Sequence, residues 1–289
     1  MQNFRFHSAG SLEEALDYLA ESRGLCKVIA GGTDLIPMLR EESVRPDHVL
    51  DLMEVTEIRG VSETEDSLVI GSTTTFARIV DSEAVRRHLP LLVEAAASVG
   101  GPQIRNRGTI GGNLMTCSPA ADVLPVIVCL NGVLELSSAR NGARLLPVTE
   151  VITGPYQTLL KPDEMLTRII IKKPPAAART AFFKLGRRKA LARARLNLSL
   201  VLALDKDETV SEFRVVPGAV MPVARRVKAA EERLIGRKPD QGLIDQAARD
   251  LTRGVFEVTG RRWSTEYKEP VLKNVFKRMV RQLVDAIVK

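Results

Sequence analysis

The chain has 289 residues, of which 45% are hydrophobic, 27% charged and 4% aromatic, the balance of an ordinary globular protein of two or three compact units with little material for stacking on nucleic acid. Three cysteines (Cys26, Cys117, Cys129) and three histidines exclude a disulfide framework, a four-thiolate iron–sulfur site and a zinc site of the usual spacing. Redox chemistry would therefore need an organic cofactor or metals on another chain, and the net charge of +7 suits an anionic partner or cofactor.

The start, Met1 to Phe6, has no basic residue followed by an apolar run, and no stretch reaches the roughly 20 apolar residues of a membrane span. A soluble, cytoplasmic protein is expected. Ser11 and Glu14 form a capping box, and Leu12, Ala15, Leu16, Leu19 and Ala20 make a helical apolar stripe ended at Gly24. Residues 26–30 read as a strand broken by Gly31-Gly32. Thr33-Asp34 can then start a helical turn that tolerates Pro37. A strand at 48–52 completes a small β–α–β–turn–β unit.

A second unit opens with a strand at 67–71. Thr73-Thr74-Thr75 offers hydroxyl caps for a helix from Phe76, and an apolar helix over 89–99 ends at Gly100-Gly101-Pro102. Between Gln103 and Pro125 the periodic pattern gives way to Gly, Thr, Asn and Ser. Strands at 133–138, 144–148 and 165–171 close the unit. Pro174-Pro175 reads as a linker. The following segment carries Arg179, Lys184, Arg187, Arg188, Lys189, Arg193 and Arg195 with no acidic residue. It is either a solvated basic face or a surface that meets an anionic cofactor or acidic protein. Strands at 196–204 and 212–220 and helices at 225–235, 243–253 and 271–288 follow. Strands and helices mixed in this way point to α+β.

Two segments carry the chemistry. In the first, Ala30-Gly31-Gly32-Thr33-Asp34-Leu35, paired glycines leave a strand and enter a helical turn. A backbone of this kind can come close to a bulky anion, although a Gly-Gly turn can also be simply a turn. The second, Arg105 to Leu114, is again glycine-paired and hydroxyl-rich, and continues to Thr116, Ser118 and the carboxylate of Asp122. Neither fits GxGxxG or the Walker pattern. Two such nests together suit a dinucleotide lying extended between two units.

The pair Ala30–Leu35 and Arg107–Asn113, with Ser118 to Asp122, resembles the flavoprotein subunit of the xanthine dehydrogenase and carbon monoxide dehydrogenase family of molybdenum hydroxylases. The opening Phe4 to Ser8 and the segment Phe182 to Arg188 are similar to that family too, so the resemblance covers essentially the whole chain. It implies a PCMH-type FAD-binding domain of two subdomains, about 1–55 and 56–175. A C-terminal α+β domain at 176–289, an antiparallel sheet plus three helices, would follow. By position, Ala30, Gly31, Gly32, Thr33 and Asp34 would hold the FAD pyrophosphate with Thr109, Gly111, Gly112 and Asn113. Leu35 and Ile110 belong to the same segments. Thr116 and Asp122 would bind near phosphate and ribose, Leu166 would pack beside the isoalloxazine, and Lys184 would approach its polar edge. The alternative for Lys184 is a solvated lysine of the basic run.

The resemblance also implies a large chain with molybdenum–pterin, a small chain with 2Fe–2S clusters, a soluble electron acceptor and a dimer of heterotrimers. This chain would then transfer electrons, and the basic segment would dock a partner or face the acceptor. The family branch that reduces hydroxybenzoyl-CoA carries a cysteine-bearing insertion that is absent here. A self-sufficient flavoprotein would need a base beside the flavin, and no residue stands out as one. A non-catalytic module is disfavoured by the intact glycines. Cys117 reads as a packed thiol, Asn197-Leu198-Ser199 as a glycosylation match without export, and Val271, Leu272, Val275, Met279, Leu283 and Ile287 as a core-facing helical side.

Overall fold

The computed structural model describes residues 3–22, 24–188 and 191–288. Its first unit runs β1 (Arg5–Ser8), α1 (Leu12–Glu21), β2 (Cys26–Ile29), α2 (Leu35–Arg40) and β3 (His48–Asp51). The strands pair in parallel in the order β1-β3-β2, an arrangement that needs crossovers, and α1 and α2 supply them. The capping box forms with an offset. Ser11 Oγ accepts from the Glu14 amide at 3.2 Å, while the Glu14 carboxylate takes the amide of Gly10, at 2.7 Å. Ala15 and Leu19 pack with Leu50, Leu52, Val55 and Ile58, and Met165, far along the chain, completes this core.

The second unit contains β4 (Val61–Glu63), β5 (Ser67–Gly71), α3 (Phe76–Asp81), α4 (Glu83–His88), α5 (Pro90–Ala97), α6 (Pro102–Arg107), α7 (Ile110–Thr116) and α8 (Val123–Cys129). Then come β6 (Val133–Ser138), β7 (Gly142–Pro147), α9 (Val148–Val151), β8 (Ile152–Gly154), β9 (Gln157–Thr158) and β10 (Met165–Lys172). An antiparallel sheet, β4-β5-β10-β6-β7, backs the helices.

The stretch from Gln103 to Pro125, patternless in sequence, is the main correction: it holds most of α6, all of α7 and the start of α8. Each of these starts on a local device rather than on an apolar period. Pro102 sits in the first turn of α6, and Thr109 Oγ1 caps α7 through the Gly112 amide. All seven residues of α8 are buried, so it has no polar face to reveal a period.

The third unit is β11 (Arg179–Leu185), β12 (Leu196–Leu204), β13 (Val210–Gly218), α10 (Lys228–Leu234), α11 (Gln241–Thr259) and α12 (Thr265–Val288). The basic segment is thus an edge strand in its first half, and charged side chains are common on such edges. Lys189 of that segment lies outside the described residues. α11 starts before its apolar pattern, where Asp240 caps it by accepting from the Leu243 amide at 2.8 Å, and it runs on past that pattern to Thr259. α12 begins before Pro270, which therefore sits inside the helix and removes one backbone donor.

Strand β12 is buried on both faces. Leu196, Leu198, Leu200, Leu202 and Leu204 join Phe213, Leu251, Leu272 and Phe276 in one core, whereas Val201, with Val216 of β13, joins the core of the second unit around α8. Phe276 is fully buried and meets Phe213 edge-on at 6.0 Å. Phe276→Ala should cost about 3–5 kcal/mol, read from the urea-unfolding midpoint of the full chain. A cost under ~1 kcal/mol would mean that this core closes without it.

Candidate functional site

The two glycine segments touch. β2 ends at Ile29, and the chain turns through Gly31 and Gly32, the latter at φ +71°, before α2. A Cβ on Gly31 would overlap the carbonyl oxygen of Arg107 and come within 2.9 Å of the Gly108 nitrogen, so backbone lies against backbone there. Thr116 Oγ1 donates to Asp34 Oδ2 at 3.4 Å, a second link between the segments. The second segment is anchored below by residues 72–75. The amides of Ile110 and Gly111 donate to Thr74 O and Ser72 O at 3.0 and 2.9 Å, and a Cβ on Gly111 would sit 2.6 Å from Ser72 O.

The two segments differ in what they leave open. The amides of Gly112 and Asn113 are taken by Thr109, through its side chain and carbonyl. Among the described residues, by contrast, the amides of Gly31, Gly32, Thr33 and Asp34 have no acceptor. The first segment offers donors. The second offers shape, and one side-chain oxygen, Asn113 Oδ1, which is buried without a partner.

A third group lies where the C-terminal sheet meets α8. Asp122, just before α8, is 7% exposed and pairs with Lys184 at 2.5 Å. Lys184 Nζ also donates to Ser98 O at 2.9 Å, and Asn197 Nδ2 donates to Asp122 Oδ1 at 3.4 Å. Lys184 and Asn197 face each other in register on β11 and β12. Burial raises the Asp122 carboxyl above the ordinary aspartate range, with the Lys184 ammonium pulling the other way. Lys184 is therefore a largely buried, paired cation and not a solvated member of the basic run. Leu166 is 4% exposed, inside the core with Ile110 and Leu114.

Residues 2–174 match the family model for the FAD binding domain in molybdopterin dehydrogenase, and residues 181–283 match that for the CO dehydrogenase flavoprotein C-terminal domain. The chain belongs to the molybdopterin dehydrogenase FAD-binding family. It is 31% identical to the nicotinate dehydrogenase FAD-subunit of Eubacterium barkeri, over 99% of this chain and 98% of that one. It is 32% identical to the carbon monoxide dehydrogenase medium chain of Hydrogenophaga pseudoflava, over 95% of each. A solved carbon monoxide dehydrogenase from H. pseudoflava superposes with a TM-score of 0.91 at 29% identity, covering 99% of this chain and 98% of that chain. Quinoline 2-oxidoreductase from Pseudomonas putida 86 gives 0.90 at 26% identity, covering 100% and 99%.

The residues of this FAD-family chain fit the cofactor. Open amides in the first segment, pressed against the second by the close backbone approach at Gly31, and the orphaned Asn113 oxygen are what a pyrophosphate and its sugar would use. Four contributors escaped the sequence reading of the site. Ser72 and Ser98 act through backbone carbonyls, which leave no trace in sequence. Tyr156, at φ +59° on the β8–β9 turn, donates its amide to Cys117 O at 3.2 Å, and its hydroxyl lies 3.4 Å from Ser118 Oγ. Asn197 did leave a trace: with Ser199 it is one of two polar residues in an apolar strand, and it is fully buried and hence closed to glycosylation. Cys117 is 2% exposed and its thiol is pushed up by burial, in keeping with a packed thiol. Among the described residues no His, Cys, Asp and Glu cluster could hold a metal, and no helix is long and apolar enough to cross a membrane.

Proposed function

We propose that this chain is the electron-transfer subunit of a heteromeric molybdenum hydroxylase. It would take electrons from 2Fe–2S clusters on a small partner chain, reduced in turn by a large molybdenum–pterin chain, and pass them to a soluble acceptor. A dimer of heterotrimers in the cytoplasm is the assembly we expect, and three unpaired cysteines suit a reducing compartment. The FAD-binding domain would span 1–175, as subdomains of about 1–55 and 56–175, and the C-terminal domain 176–289. The observation that carries the reading is the contact of the two glycine segments, one with open amides and one with an orphaned oxygen.

Within that reading, the amides of Gly31 to Asp34 donate to the pyrophosphate between Ala30 and Leu35. Thr109, Ile110, Gly111 and Gly112 hold the wall opposite, Asn113 Oδ1 accepts from a sugar hydroxyl, and Thr116 ties the two sides through Asp34. FAD supplies a carrier that exchanges electrons with one-electron and two-electron partners. Leu166 backs the site from the core. Lys184, with its charge balanced by Asp122, sets the local potential and stabilises negative charge beside it. The test is native purification with a visible spectrum and metal analysis. FAD, iron and molybdenum in a complex of three chain types is the expected result. A lone yellow chain, metal-free and turning over a donor by itself, would overturn the reading.

A further inference from the structure

Trp263, the one tryptophan of the chain, is 92% exposed on the turn between α11 and α12. Tyr267, four residues on, is 52% exposed. An indole left in water forgoes the burial that large aromatics gain in a core, and Trp, Tyr and Arg are the side chains that anchor protein interfaces. Three cations lie near one another at this turn: Arg262, next to Trp263 in the chain, Lys268 on the first turns of α12, and Arg195 just before β12.

Acids are near. Arg261 pairs with Glu269 at 2.9 Å, and Glu266 is exposed in the first turn of α12. Yet among the described residues Arg195, Arg262 and Lys268 pair with no carboxylate, and Lys268 Nζ instead donates to Ala219 O at 3.2 Å. Burial first, and then repulsion from Arg195 and Arg262, holds the Lys268 ammonium below the usual lysine range. Unneutralised like charges disfavour the folded chain by itself and favour an incoming anion.

The place of this cluster narrows the anion down. Arg195 is two residues before Asn197, which bonds Asp122, and Gly218 faces Asn197 across the sheet. The Ala219 amide donates to Pro119 O at 3.1 Å. The cluster therefore borders the same strand ends that carry Lys184 and Asn197. A second copy of this chain is a poor occupant, because a two-fold contact would bring the basic cluster near itself. Nucleic acid would want a charged groove with successive stacking platforms, and this turn exposes only Trp263 and Tyr267.

We propose that Trp263 and Tyr267, together with the neighbouring cations Arg195, Arg262 and Lys268, anchor the electron-donating partner chain. That chain would present carboxylates around an apolar recess that receives the indole. The inference rests on the chain being one subunit of the proposed complex. It is tested by labelling this chain with a fluorinated tryptophan, which gives one fluorine resonance, and adding the unlabelled iron-bearing chain while assembly is followed by size exclusion. The resonance should shift and lose its sensitivity to deuterated solvent as the complex forms. Trp263→Ala and Arg262→Glu, both on an exposed turn, should keep the FAD content of the full chain. They should weaken assembly about tenfold or more, and added salt should weaken the wild-type complex as well.

A resonance that stays solvent-sensitive in an assembled, metal-bearing complex would overturn this interface and leave the subunit reading intact. A shift with rising concentration of this chain alone would make a second copy the occupant and overturn it too. Failure to find any metal-bearing partner chain would remove both readings.

Discussion

Gly31→Ala should strip the chain of FAD and lower its melting temperature. The new methyl would overlap the Arg107 carbonyl, which is backbone and cannot swing aside as a side chain would. The two glycine segments would have to part. Overpacking of this kind costs about 1–3 kcal/mol in stability. Separating the open amides from Asn113 should also cut FAD retention to about a tenth or less at equal ligand, at least ~1.4 kcal/mol of binding. Flavin absorbance per chain and a thermal melt measure both. Gly10→Ala is the control, because its Cβ would meet only the Glu14 carboxylate, at an ordinary contact distance of 3.6 Å. If Gly31→Ala retained FAD as Gly10→Ala does, the segments would not press together as described.

Lys184→Met should destabilise the chain by about 3–5 kcal/mol at neutral pH, because it leaves the Asp122 carboxylate buried and unpaired. The pH dependence has a definite sign. The Asp122 carboxyl is already raised by burial, and loss of the ammonium raises it further. A carboxyl raised in the folded state stabilises below its unfolded value, and that stability is lost as pH climbs through the folded value. Lys184→Met should therefore lose stability from mildly acidic pH upward and regain it on acidification. Lys184→Met with Asp122→Asn should recover much of the loss, since no charge is then stranded. In the FAD-loaded chain, Lys184→Met should lower the two-electron midpoint potential by about 30 mV or more, the equivalent of ~1.4 kcal/mol. An unchanged potential with reduced stability would leave Lys184 a purely structural partner of Asp122.

What could be read from the sequence was local. Hydroxyl caps at Ser11 and Thr75, the short apolar run at 67–71 and the alternation of Leu134 and Leu136 at 133–138 specify their elements within a few neighbours, and those elements stand where expected. Both glycine segments were visible because the residue type itself reports close backbone approach. The edge strand β11 was hidden. Both of its faces are half covered, Phe182 taking its amide bond to Glu94 of α5 and Phe183 lying under Arg278 of α12 at 5.5 Å, so no period-2 contrast survives. The joining of Lys184, Asp122 and Asn197 was equally illegible. It depends on the register of β11 against β12 and on α8 docking behind them, long-range facts that no short window of residues contains.

Strand β12 gives its leucines to one core and Val201 to another, with α8 on the second side. Pro174-Pro175 is thus a joint in the chain but not a seam in the protein. Residues 1–175 expressed alone would show α8 to water without its cover, and residues 176–289 alone would show the reverse of their own sheet. The flavin cradle is consequently not a portable cassette: grafted elsewhere, it would need a new apolar back of the same shape, or it would travel with the sheet that already closes it.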